Sequence, residues 1–396
     1  MRIAFLSWRD LTHPEGGGAE RYAQTVCAGL AARGHDVTLL CADHGRAPHS
    51  ERLDGYRILR QGSRTTVYPR SLLRLRRLAR REGAFDVVID TQNGLPFAAP
   101  LATSTPVIAL VHHVHKEQWP VVFGPLVARL GWLLESRVAP RIYRGHQYVA
   151  VSARTRDELG GLGVDLGACS VIHNGTDLPF SDRVPRSPDP RVIVLGRLVP
   201  HKRVELAIDV VARLRHRFPG IRLRVVGDGW WREQIIEHAE RVGAADLVDV
   251  LGFVDEATKH HELASAWVGL APSVKEGWGL NVVEAAAHGV PTVAFHGAGG
   301  LSESIVDNAT GLLAHDVCGL TEGCARLLAD HELRGDMALA AREHARRFTW
   351  EETVERWDRL VRHTAARRAP VAEIDHVATP PAVLVGRHRR TRPASA

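Results

Sequence analysis

Two acidic residues eight apart, Glu276 and Glu284, stand in the stretch "EGWGLNVVEAAAHG". Gly277 and Gly279 make the first half a turn that can bend sharply. From Leu280 onward the pattern is helical. The amides at such a helix start are unpaired and form a ready anion site. A carboxylate can accept two hydrogen bonds from vicinal hydroxyls, as on a ribose or another sugar. Upstream, "VLGRLVPHKRVELAI" places Arg197 just after a strand pattern and Lys202 just before a helix. Cations so placed suit a diphosphate whose charge grows as its bond breaks. Near the start, "HPEGGGAERYAQ" sets Gly16, Gly17 and Gly18 between the first strand and the first helix, where backbone amides can approach a phosphate. It is not G-x-G-x-x-G, so dinucleotide binding is poorly supported. "PVIALVHHVHKEQW" puts His112, His113 and His115 at a strand end. No further ligand sits at a familiar metal spacing, so a metal site is not expected.

The elements that must position these residues are legible as alternation. "RIAFLSW", "DVTLLCA", "DVVIDT", "PVIALVHH" and "QYVAVS" form one strand series, and "RVIVLGRL", "LRVVGDG", "VDVLGFV", "WVGLAPS" and "PTVAFH" a second. Amphipathic segments such as "AERYAQTVCAGLAARG" lie between them. Strands apolar on both faces imply parallel sheets covered by crossover helices, an α/β fold. "PFSDRVPRSPDPR" reads as a linker near 181–190. The expected organisation is two doubly wound domains, 1–183 and 184–348, facing across a cleft beyond the strand ends. A helix over 349–364, with Thr349 as its N-cap, packs back toward the first domain. Residues 365–396 are expected to be a mostly disordered tail.

The 396 residues are enough for two cores, and 45% hydrophobic with 24% charged is ordinary for a soluble protein. No apolar run approaches the roughly 20 residues that span a bilayer. "MRIAFLSWRD" reads as a buried strand, not a signal peptide. Five scattered cysteines fit reduced core thiols, so a cytoplasmic location is expected. The net charge of +6 comes from residues 1–180 and the tail. That favours an anionic partner, but no zinc finger, helix-turn-helix or RNA-binding signature accompanies it, and nucleic acid is not expected. "YPRSLLRLRRLARREG" mixes Leu72, Leu73, Leu75 and Leu78 with six arginines, and "VVFGPLVARLGWLLE" is apolar with few charges. Either the leucines face the core and the arginines water, or this side rests on anionic lipid.

Taken together, the E-x7-E pair, the "GRLVPHK" loop, "VSARTRDEL", "VIHNGTD", the glycine-rich first loop and "GAGGLSESIVDNATGLL" resemble the retaining GT-B glycosyltransferases, family 4 (group 1). The resemblance runs from residue 1 to about 364. It implies two Rossmann-like domains, a UDP- or GDP-sugar donor, no obligate metal or other cofactor, and a sugar or lipid-linked acceptor. By the same resemblance Glu284 holds the ribose, Arg197 and Lys202 the diphosphate, and Glu276 the donor sugar. Gly17, Gly18, Gly277, Gly279, Leu280 and Asn281 line the donor pocket, Phe253 in "VLGFV" lies beside the base, and His112 sits beside the transferred sugar, with His115 as its alternate. The reaction implied is front-face transfer giving an α-linkage. Two rival readings remain, a nucleotide-sugar 2-epimerase of the same fold and a non-catalytic sugar-nucleotide-binding subunit.

Overall fold

A computed structural model describes residues 1–177 and 184–372. The first sheet holds β1 (Arg2–Leu6), β2 (Asp36–Cys41), β3 (Ser50–Leu53), β4 (Tyr56–Arg60), β5 (Val87–Gln92), β6 (Val107–Val111), β7 (Gln147–Ala150) and β8 (Cys169–Val171). Their order is β3-β4-β2-β1-β5-β6-β7-β8. All neighbours pair in parallel except β3 and β4, an antiparallel hairpin at one edge. Asp54 and Gly55 turn that hairpin, both with positive φ (47° and 84°), as a tight two-residue turn requires. The second sheet holds β9 (Arg191–Leu195), β10 (Arg222–Val226), β11 (Val248–Gly252), β12 (Val268–Ala271), β13 (Thr292–Phe295) and β14 (Gly311–Ala314). It is parallel throughout, in the order β11-β10-β9-β12-β13-β14. Every residue of β5, β6 and β7 is buried, as expected of strands covered by helices on both faces.

The helix Trp350–Ala365 returns to the first sheet. Thr349 caps it by accepting from the Glu352 amide at 3.2 Å. Its fully buried Trp357 joins Ile3, Tyr22, Val87 and Ile108 in the first-domain core, and the indole N–H donates to the Tyr22 hydroxyl at 2.6 Å. Beyond the helix, the chain differs from the expected tail as far as residue 372. The Val371 amide donates to Gln147 Oε1 at 2.8 Å, and its carbonyl accepts from Gln147 Nε2 and Ser170 Oγ at 2.9 and 2.8 Å. These bonds satisfy two buried side chains on β7 and β8, which explains the docking. Residues 373–396 and part of the expected linker, 178–183, lie outside the described residues.

The leucine–arginine helix, Val67–Glu82, buries Leu75 and Leu78 and leaves Leu73 exposed. Core packing thus explains most of its leucines. The apolar segment downstream behaves differently: Val121, Val122, Leu126, Val127, Leu130 and Leu133 are all exposed, Leu126 by 81%.

Candidate functional site

The second-domain half is built where β9 and β12 end. After β12 the chain turns through Pro272 and Ser273 to Glu276. The helix Leu280–Ala287 then starts from Gly279, whose φ of 89° only glycine adopts freely. A Cβ there would also lie 2.4 Å from Leu301 Cδ2. The first intrahelical bonds run from the Val282 and Val283 amides to Gly279 O, so the Leu280 and Asn281 amides precede the ladder and carry the positive end of the helix dipole. The Asn281 side chain serves the scaffold instead. Its Nδ2 donates to Leu195 O at 2.9 Å, tying the helix start to the end of β9. Lys202 ends a short 3-10 turn after β9 and pairs directly with Glu276 Oε1, which also accepts from Ser273 Oγ at 2.7 Å. The Glu276 side chain is only 13% exposed. Burial alone raises its pKa, but Lys202, Ser273 and the nearby His201 outweigh this and hold the carboxyl below its ordinary range. Leu195, Gly196, Arg197, Lys202, Ser273 and Asn281 line one pocket.

Glu284, one turn into the helix, accepts from Lys259 Nζ at 2.8 Å, and Lys259 also pairs with Glu256 at 2.8 Å. Phe253 stands 87% exposed after β11, and Trp230 is exposed after the neighbouring β10. Two aromatic faces are therefore presented from adjacent strand ends.

The first-domain half centres on His112, directly after β6. The residue is buried, and its Nε2 has no hydrogen-bond partner among the described residues. Burial pushes its pKa down to about 4, only partly offset by Glu20, so the imidazole is neutral at physiological pH. Tyr22 meets its ring edge-on at 5.3 Å. His113 and His115 stack at 3.9 Å and are occupied otherwise. His113 Nε2 meets Gln118 Oε1 at 2.9 Å, and His115 Nδ1 meets Glu135 Oε1 at 3.0 Å. Glu135 is fully buried in a π-helical turn, Leu134–Val138, and also accepts from Trp119 Nε1 at 2.7 Å.

The glycine-rich loop faces the second domain. A Cβ on Gly17 would lie 3.1 Å from Arg197 Nε, and one on Gly18 would lie 3.6 Å from Leu280 Cδ2. The Gly17 amide is already taken, donating to Glu20 Oε2 at 2.8 Å to cap the helix Gly18–Ala32. In this structure it is therefore a cap donor, and the loop's amides are less free for a phosphate than its glycine content implies. Arg197 is exposed and reaches Glu15 O at 3.4 Å.

The two halves touch. Gly277 lies so close to His112 that a Cβ would fall 2.0 Å from the His112 carbonyl oxygen. Around this contact run polar links that the sequence does not disclose. Lys275 pairs with Glu117 and Glu158 at 3.0 and 2.9 Å. Glu303 accepts from the Ala153 and Arg154 amides at 2.9 and 2.6 Å, capping the helix Ala153–Gly161 from the other domain. Arg21 meets Glu256 at 3.1 Å. Ala153, Arg154 and Glu158 of "VSARTRDEL" and Glu303 of "GAGGLSESIVD" take part in these links. The assembled cleft offers two cations and a helix N-terminus to an anion, and two carboxylates to hydroxyls, with a neutral histidine opposite.

Comparison with known proteins agrees with this arrangement. The model of the group 1 glycosyl transferases matches residues 180–344, and that of glycosyltransferase family 4 matches residues 16–180. The chain is 27% identical to a glycogen synthase of Mycobacterium tuberculosis, over 89% of this chain and 92% of that protein. It is 29% identical to the GDP-mannose-dependent α-(1-6)-phosphatidylinositol monomannoside mannosyltransferase of the same species, over 88% and 93%. Among solved structures, a sucrose-phosphate synthase from Thermosynechococcus elongatus superposes with a TM-score of 0.78 at 20% identity, covering 93% of this chain and all of that one. With two facing Rossmann-like domains that together match both halves of one family, the chain belongs to the group 1, family 4 glycosyltransferases of GT-B fold, retaining enzymes that take their sugar from a nucleotide-sugar.

Proposed function

We propose that this cleft transfers a hexose from a UDP- or GDP-sugar to an acceptor hydroxyl, forming an α-glycosidic bond. The observation that carries the reading is the convergence of Arg197, Lys202 and Asn281, at the start of the helix Leu280–Ala287, on one pocket, with Glu276 held against its lining residues Lys202 and Ser273 and His112 in contact through Gly277. In this reading the diphosphate lies against Arg197, Lys202 and the Leu280 and Asn281 amides, which neutralise charge as it leaves. Glu284 accepts from the ribose, displacing or sharing Lys259. Phe253 and Trp230 flank the base. Glu276 orients the sugar, and neutral His112 offers Nε2 to one of its hydroxyls. The acceptor enters on the face from which the diphosphate departs, and the leaving phosphate takes the acceptor proton. The protein supplies orientation and water exclusion.

The test is a screen of nucleotide-sugars for donor turnover, followed by NMR of the product's anomeric centre. An α-anomer supports the reading. A β-product overturns it, an epimerised donor without transfer selects the 2-epimerase, and tight binding with no turnover selects the non-catalytic subunit.

A second reading concerns the acceptor. The exposed Val121, Val122, Leu126, Val127, Leu130 and Leu133 lie in the first domain, which also carries the arginine-rich Val67–Glu82 helix. Arg76 of that helix bonds to the Leu101 and Ala102 carbonyls at 2.9 and 3.0 Å, while Arg74, Arg77, Arg80 and Arg81 are exposed. An apolar edge on a domain that also exposes a row of arginines suits an anionic lipid surface, at about 1 kcal/mol per arginine, and hence a lipid-linked acceptor of envelope polysaccharide or glycolipid synthesis. Among the described residues no helix is long and apolar enough to cross a membrane. Co-sedimentation with anionic vesicles that weakens with salt, and with Leu126→Asp and Leu130→Asp, supports it. Retention in the supernatant at low salt favours a water-soluble acceptor.

A further inference from the structure

A second cavity, of about 190 Å³, opens at the opposite end of the first sheet from the cleft. Val107 and Gln147, the first residues of β6 and β7, form its floor together with Pro106, and Gly145 and His146 form one wall. The other wall comes from the end of the returning helix and the segment after it: Thr364, Arg367, Arg368 and Pro370. That segment is fixed by the Val371 bonds to Gln147 and Ser170, so the wall is built and not a passing loop.

Three observations give the cavity its chemistry. Arg367 and Arg368 are exposed, and among the described residues neither guanidinium has an ion-pair or hydrogen-bond partner. Two guanidinium groups on consecutive residues repel each other, and an anion between them relieves this. Thr364 is 8% exposed, yet its hydroxyl has no hydrogen-bond partner among the described residues. A buried hydroxyl without a partner costs stability, and a ligand atom or water drawn in beside Thr364 would relieve it. His146, half-buried, offers a further ring nitrogen to the same space. The surrounding stretch 139–147 carries Arg141 and Arg144 and no acidic residue. The carboxyl end of a helix repels anions, so the arginines must supply the attraction.

We infer that this cavity is a binding site for a phosphate group, held by Arg367 and Arg368 with Thr364 and His146 as hydrogen-bonding partners. Paired guanidinium groups suit a phosphate's several oxygens. The volume is below the several hundred cubic ångströms of a drug-sized pocket, which limits the occupant to inorganic phosphate, a small phosphate monoester, or the headgroup of a phospholipid. The site is distinct from the cleft. Strand β6 separates them, with Val107 at one end and His112 just past the other, roughly 15 Å at the rise of a strand.

The experiment is calorimetric titration of the full chain with inorganic phosphate and, separately, with a hexose phosphate, together with flotation on phosphatidylglycerol vesicles. Arg197→Ala serves as the control that removes phosphate binding in the cleft. The expected result is one class of phosphate site that survives Arg197→Ala and weakens about tenfold or more in Arg367→Ala/Arg368→Ala, with nucleotide affinity unchanged. Thr364→Val, which keeps the shape and removes the hydroxyl, is expected to weaken it as well. Soluble-phosphate binding assigns a free metabolite. Vesicle binding that needs the same two arginines, without soluble-phosphate binding, assigns a headgroup. The inference is overturned if the double variant, shown folded by an unchanged melting temperature, binds phosphate and vesicles as the native chain does, or if Arg197→Ala removes all phosphate binding and the vesicles do not bind. Nucleotide-sugar turnover is a separate readout, so loss of this site leaves the donor reading standing.

Discussion

Replacing Gly277 with alanine is the sharpest perturbation the cleft offers. The added Cβ would lie 2.0 Å from His112 O and 3.0 Å from the carbonyl carbon, whereas ordinary contact begins near 3.4 Å. The obstacle is backbone, at the end of a strand buried throughout, so it cannot rotate away. The loop carrying Glu276 must therefore withdraw from His112 by more than an ångström. A displacement of about 1 Å in a positioned site costs on the order of a hundredfold in rate, or about 2.7 kcal/mol of transition-state stabilisation. The next residue, Trp278, is buried in the cluster that the first-domain core shares with the second domain, so the melting temperature should fall as well, while the separate second-domain core keeps that domain folded. The assay is steady-state transfer with the preferred donor, alongside nucleotide titration and thermal melting. We expect kcat to fall about a hundredfold, with affinity for the nucleoside diphosphate changed by less than about tenfold. If turnover stays within about threefold of the native rate, the contact between Gly277 and His112 is not part of the working geometry, and the cleft operates in a more open form.

Further substitutions separate the proposed roles. Glu284→Ala should weaken nucleotide binding by roughly 1.5–3 kcal/mol per lost charged bond without unfolding the chain, because Lys259 keeps Glu256 as a partner; unchanged calorimetric affinity would refute the ribose role. Arg197→Ala and Lys202→Ala should each lower turnover by more than about tenfold. Only Lys202→Ala should also lower stability, by about 3 kcal/mol, since it strands Glu276 while Arg197 is exposed; equal melting temperatures for the two would contradict the pairing. His112→Ala should cut transfer while sparing nucleotide affinity, and a larger loss in His115→Ala would move the role to that residue. Because His112 is neutral above about pH 4, its role predicts no inflection in rate near pH 6.5. The same burial means that the unfolded chain binds its proton first as pH falls, so stability from His112 is present above about 6.5 and lost between there and about 4.

The parallel strands are legible because burial on both faces writes continuous apolar runs into the sequence, and because the donor half of the cleft is made from residues close together along the chain. Glu276, Glu284 and the helix between them can be placed from one stretch. The edge hairpin β3–β4 is not legible although Asp54–Gly55 marks its turn, because "SERL" alternates too weakly to read as a strand. β8 is three residues long, too short for periodicity to show. Lys275 with Glu117, Arg21 with Glu256 and Glu303 with the Ala153 amide join residues about 150 to 235 apart. Nothing local specifies such pairs. Val371 reads as tail for the same reason: what holds it is a pair of buried side chains on distant strands, not a pattern of its own.

The contacts across the cleft are of two kinds, and the difference says how it opens. At the rim they are ion pairs, such as Lys275 with Glu117 and Arg21 with Glu256, in which the acids are well exposed. Exposed pairs contribute about 0–1 kcal/mol each. On the far side the chain crosses back between domains at Phe348 to Trp350. There the Thr176 amide donates to Phe348 O at 2.8 Å, and a Cβ on Gly175 would fall 2.3 Å from the Trp350 amide. Trp278, His173 and Phe348 stack beside it at 4.2 to 5.4 Å, and Trp357 lies in the first-domain core. Burying such rings is worth several times a rim pair. Opening should therefore break the rim and leave the crossing intact, making residues 173–176 and 348–350 a pivot. Hydrogen exchange of the ligand-free chain checks this. Amides of Ala153 and Arg154, which Glu303 caps from the other domain, should exchange faster than those of Thr176 and Thr353, and should slow when a nucleoside diphosphate binds. Equal protection at both places, or protection at the rim that ignores the ligand, would show that the domains do not hinge there.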